Sequence, residues 1–188
     1  YVNSISILGN LTIDIDGSLN IDDGTGIRIE EDASLINRGD INLGLNGNVS
    51  PRGIVNIGAF VNFGNIHTDD VGQVGAEVIR NVGMFTNNGS IQMDGLRYFG
   101  FTNFFGGKVI NNGTMEIARG ADAGLRNAIE NTEFDNYGII RLPNGPVRVT
   151  ADAKFTNHAC GEIYATSILH VASSGSIGTF ENYGFMSL

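Results

Sequence analysis

The sequence predicts an all-β fold: a single parallel β-helix (β-solenoid), right-handed, of about seven coils of ~25 residues with three short strands per coil. Three observations carry this. One short motif recurs at a nearly constant interval, apolar and polar residues alternate with period two around it, and no stretch shows the 3.6-residue periodicity of a helix.

The motif is apolar-x-Asn-x-Gly-x-apolar. Its anchors are Leu35, Asn37, Gly39 and Ile41, then Phe60, Asn62, Gly64 and Ile66, then Phe85, Asn87, Gly89 and Ile91. They continue with Val109, Asn111, Gly113 and Met115, with Phe134, Asn136, Gly138 and Ile140, with Phe155, Asn157, Gly161 and Ile163, and with Phe180, Asn182, Gly184 and Met186. Successive glycines are 25, 25, 24, 25, 23 and 23 residues apart, a regularity that sets the coil length. The sixth copy is stretched by two residues and contains Cys160.

Each part of the coil follows from local chemistry. Over residues 34–43, Leu35, Asn37, Gly39, Ile41 and Leu43 alternate with Ile36, Arg38, Asp40 and Asn42, so one strand face is buried and the other wetted. Asn and Gly are the residues that best tolerate positive φ, so Asn-x-Gly reads as a tight bend between two strands. A third β-like patch precedes six of the seven motifs, at 26–29, 53–57, 76–79, 125–129, 147–149 and 168–171. Apart from the stretched sixth copy, length varies between the second strand and this patch, at 44–52, 67–75, 94–97 and 118–124, so loops gather along one side.

Stacking such coils superposes equivalent side chains. Leu35, Phe60, Phe85, Val109, Phe134, Phe155 and Phe180 form one internal column and Ile41, Ile66, Ile91, Met115, Ile140, Ile163 and Met186 another. Burial of each is worth roughly 1.5–3 kcal/mol. Asn37, Asn62, Asn87, Asn111, Asn136, Asn157 and Asn182 form a third column of amides bonding from coil to coil, a scaffold feature because it recurs in every coil. Residues 1–188 form one domain, with 1–34 an atypical N-terminal coil and 35–188 the repeats.

A net charge of −9 weighs against nucleic acid, whose binding needs a basic surface. Cys160 is the single cysteine, so no disulfide forms within the chain, and it reads as a structural thiol. No apolar run is long enough to span a bilayer. The chain opens on Tyr1 without a signal segment, as a processed protein or a fragment would.

Copies such as Phe85 to Ile91 and Val109 to Met115 resemble coils of the right-handed β-helix proteins of bacterial surfaces, the haemagglutinin-type adhesins and autotransporter passengers. The resemblance covers 35–188 and rests on inward and corner residues. It implies export, an elongated shape and surface attachment or assembly. Pectate-lyase-like enzymes share the coil, but no position here matches a catalytic motif.

Several clusters carry chemistry-bearing side chains. Asp14, Asp16, Asn20, Asp22 and Asp23 alternate as in a calcium loop, yet lack the closing Glu of an EF-hand; a half-buried strand is the favoured reading and Ca2+ the lesser one. Asp69, Asp70, Asp94, Arg97, Arg119 and Asp122 on the loop side come from neighbouring coils and offer the acid and base groups of a polysaccharide lyase or hydrolase, with chance proximity the favoured reading. His67, His158 and His170 lack metal-ligand spacing. Asn10, Asn48, Asn88 and Asn112 open N-glycosylation patterns that the corner chemistry also explains. The residue after each ladder Asn faces outward, which offers Phe63, Tyr137 and Tyr183, with His158, as a surface contact for a sugar or another subunit.

The expected function is therefore structural or adhesive, extracellular and not enzymatic. No resident cofactor or metal is expected, and no nucleic-acid partner. The chain ends at Leu188 directly after a motif, leaving an open edge, and the leading expectation is a subunit of a self-assembling bacterial filament stacked end to end through such edges. The alternatives are a glycan- or host-binding adhesin segment and, third, a polysaccharide lyase or hydrolase.

Overall fold

The computed structural model describes residues 4–22, 26–44, 53–68, 77–94, 99–118, 124–129, 131–150, 152–171 and 177–188. Among them the chain is a parallel β-solenoid of three eight-stranded sheets with no helix. The first sheet stacks Ser4–Ile7, Gly26–Ile29, Ile54–Asn56, Ile79–Asn81, Phe101–Phe104, Leu125–Ala128, Val147–Thr150 and Ile168–Val171. The second stacks Asn10–Ile13, Ser34–Asn37, Ala59–Asn62, Met84–Asn87, Lys108–Asn111, Glu133–Asn136, Lys154–Asn157 and Thr179–Asn182. The third stacks Ser18–Asp22, Asp40–Gly44, Asn65–Thr68, Ser90–Met93, Thr114–Ile117, Ile139–Leu142, Glu162–Ala165 and Phe185–Ser187.

Each rung takes one strand from every sheet. Seven rungs carry the motif, and residues 4–22 supply an eighth that lacks it, one more than the motif count. All pairings are parallel and keep the motif in register, with Phe60 beside Phe85 and Asn62 beside Asn87. The variable stretches all join a third-sheet strand to the next first-sheet strand.

The columns form as the repeat requires. Leu35, Phe60, Phe85, Val109, Phe134 and Phe155 are buried, and Phe180, in the last rung, is partly buried against them. Phe60 and Phe85 pack edge to face at 5.0 Å, while Phe134, Phe155 and Phe180 stack at 4.7 and 5.2 Å. The Asn column is a continuous chain of amide bonds. Asn37 Nδ2 donates to Asn62 Oδ1 at 2.7 Å, and the pattern passes through Asn87, Asn111, Asn136 and Asn157 to Asn182 with every step between 2.7 and 2.8 Å.

Four sequence expectations are corrected. The corner glycines are not there for positive φ, which among the described residues occurs at Asp32, Phe105, Gly106, Ile129, Asn131 and Asp152. They are there for close approach: a Cβ on Gly64, Gly89, Gly113 or Gly138 would collide with the carbonyl oxygen of the glycine one rung back. Second, the region of Asp14 to Ile21 is not one strand. It bends at Asp14–Gly17, closed by the Gly17 N–H on the Asp14 carbonyl at 2.8 Å, and Ile15 is 76% exposed. Gly17 takes the corner place beneath Gly39.

Third, the first-sheet strands over 53–57 and 76–79 are Ile54–Asn56 and Ile79–Asn81, and the fifth rung has an unanticipated one, Phe101–Phe104. Phe101 explains a gap in the phenylalanine column. Where Val109 replaces Phe, the Phe101 ring enters from the first sheet of the same rung and lies 5.2 Å from Phe85 and 6.1 Å from Phe134. Fourth, the thiol read as structural is not buried: Cys160 is exposed on the stretched corner.

Candidate interaction surfaces

The corner between the second and third sheets carries one outward side chain per rung. From Phe63 onward each N–H there donates to the carbonyl of the ladder Asn one rung back, for example Phe63 to Asn37 at 2.7 Å and Tyr137 to Asn111 at 2.8 Å. Backbone pairing thus fixes where these side chains stand. Phe63 is 53% exposed, Tyr137 43% and Tyr183 67%. Tyr137 stacks on His158 at 3.9 Å and 7°, and His158 Nε2 lies 2.8 Å from Asp135 Oδ1, so a carboxylate orients the imidazole under the phenol ring. Asn112 Nδ2 donates to Asn88 Oδ1 at 2.8 Å, spanning the polar middle of the corner.

A second Asn ladder, missed from the sequence, runs along the opposite corner between the first and second sheets. Asn56, Asn81, Asn103 and Asn127 pass a bond from Nδ2 to Oδ1 at 2.7, 2.8 and 2.8 Å. Its signal is present in Asn56-Ile57-Gly58 and Asn81-Val82-Gly83, then blurred because Asn103 bonds Gly107 four residues on.

The outer face of the first sheet holds a cluster that sequence reasoning also missed. The register aligns Arg80, Thr102, Arg126 and Arg148 on successive strands. Arg80 Cζ lies 4.9 Å from the Phe104 ring and Arg126 Cζ 5.7 Å from it; Arg126 lies 5.1 Å and Arg148 5.6 Å from Phe99. Cations and rings therefore alternate along the axis, each cation against the π-cloud of a ring. Glu77 reaches Arg80 at 3.6 Å. Burial lowers the Arg126 pKa; Glu77 opposes that shift, whereas Arg148 and Arg80 add to it. The Nε atoms of all three arginines are buried without a hydrogen-bond acceptor.

The third sheet bears a shallow depression of about 410 Å³ between Glu116, Arg141, Pro143, Tyr164 and Leu188. Arg141 lies 5.4 Å over the Tyr164 ring, and Tyr164 donates to Glu162 at 3.0 Å, a bond that raises the phenol pKa.

Of the acid–base cluster, Asp69, Asp70, Arg97, Arg119 and Asp122 lie outside the described residues. The Asp94 carboxylate accepts from Gln92 at 3.2 Å. Of the calcium-like set, Asn20 accepts from Asn42 at 2.8 Å, Asp14 and Asp16 lie within the Asp14–Gly17 bend, and Asp23 and the Asp22 side chain lie outside the described residues. Among the described residues no three His, Cys, Asp or Glu side chains gather as metal ligands. Comparisons with protein-family models, curated proteins and solved structures found no match to the chain.

Proposed function

We propose that the chain is a structural, non-catalytic extracellular element: a subunit of a bacterial surface filament whose copies stack end to end. The observation that carries this is the unbroken lengthwise pairing: in all three sheets each strand bonds in parallel register to its equivalent one rung on, and the Phe and Asn columns run through the motif rungs. Such a repeat extends by the same backbone bonds and the same column contacts whether the next rung belongs to this chain or to another copy.

The test is sedimentation and electron microscopy of the chain across a concentration series. Concentration-dependent rods longer than one solenoid are expected, and Leu11→Lys, at an exposed position aligned with Leu35, is expected to reduce them. Monomers at every concentration, or rods indifferent to that substitution, overturn the reading.

A second reading, a glycan-binding surface segment, is favoured by the exposed corner rings Phe63, Tyr137 and Tyr183.

A further inference from the structure

The arginine row on the first sheet has a surplus of cationic donors. Three guanidinium groups stand within one row, and the carboxylate that meets it among the described residues is Glu77, at Arg80. Ring stacking uses the faces of the guanidinium planes and leaves their edge N–H groups for in-plane acceptors. The Nε atoms are buried and find no acceptor among the described residues, so an incoming oxyanion meets the outer edge of each guanidinium.

Spacing narrows what that oxyanion belongs to. Arg126 and Arg148 are on neighbouring strands, about 4.8 Å apart, and Arg80 is two strands from Arg126, about 10 Å. An extended acidic peptide presents same-face side chains about 6.6 Å apart and falls out of step with this row. A linear sugar chain advances by about one strand spacing per unit and keeps step. The neighbouring Phe105 supplies a surface for the sugar ring itself. It is 51% exposed, is held at φ 47°, which is rare for a bulky residue, and packs edge-on against Phe104 at 4.2 Å. The net charge of −9 disfavours long polyanions, and the row spans only four rungs, so a short acidic segment fits.

We propose that Arg80, Arg126 and Arg148, with Phe99, Phe104 and Phe105, form a binding site for an acidic glycan whose carboxylate or sulfate groups lie along the row. This rests on the glycan-binding reading and moves it from the tyrosine corner to the opposite side of the solenoid.

Calorimetric titration of the whole chain with a uronate tetrasaccharide, a sulfated tetrasaccharide and their neutral parent tests it. At least one acidic sugar is expected to bind about tenfold or more tighter than the neutral one, with affinity falling as salt rises. Arg126→Gln and Arg148→Gln are each expected to weaken that binding by about tenfold. Phe105→Ala, a surface change that leaves melting unaltered, weakens it several-fold, and the uronate and sulfated arms distinguish which acid the row prefers. Equal affinity for acidic and neutral sugars, indifference to all three substitutions, or equally tight binding of poly-glutamate overturns the proposal. Neutral-sugar binding that Tyr137→Ala abolishes and the arginine variants spare would overturn it while leaving the glycan-binding reading intact.

Discussion

Asn111 shows what a single ladder residue does. Its Nδ2 donates to Asn136 Oδ1 and its Oδ1 accepts from Asn87 Nδ2, with both neighbours fully buried. Asn111→Ala therefore strands a donor on one side and an acceptor on the other, and should cost about 2–4 kcal/mol in denaturant unfolding, beyond what an exposed Asn would cost. The ladder also has a direction, since every Nδ2 points toward the C-terminal end. At its start Asn37 Oδ1 is buried without a donor, because Ile13 occupies the place one rung back. Ile13→Asn supplies that donor, and should raise stability by about 1 kcal/mol even though it replaces an apolar residue with a polar one. A loss of stability would show that the ladder does not extend by simple register.

The strand Phe101–Phe104 is where the element-level reading of the sequence fell short, and the reason is physical. The motif reports on the second and third sheets, whose corner must carry Asn and a small residue in every rung. The first sheet has looser demands, and its Asn ladder spans four rungs only. Volume in the fifth rung is conserved rather than position, with Phe101 and Val109 exchanging the large and small roles that other rungs assign the opposite way. Phe101→Val alone should cost about 2–4 kcal/mol and Val109→Phe alone about 1–3. Together they restore the ring count, and the double variant should recover at least about 1 kcal/mol relative to the sum, read from a double-mutant cycle. The arginine row was illegible for a related cause. Arg80, Arg126 and Arg148 become neighbours only once the strands are in register, and their rings come from the irregular fifth rung.

At the scale of the whole molecule the account is quasi-one-dimensional, with each rung touching the one before and the one after, so stability and shape both follow from rung number. The architecture was readable because a repeat states one set of contacts seven times. The surfaces were not, because outward residues are free to vary from rung to rung. The most direct test places spin labels on the outward corner after Cys160→Ser, pairing Tyr183 in turn with Asn88, Phe63 and Arg38. Those positions are four, five and six rungs away, so electron–electron distances of about 19, 24 and 29 Å are predicted, rising by one strand spacing per rung. Distances that fail to increase in that order, or that increase by some other step, would contradict in-register stacking and everything built on it.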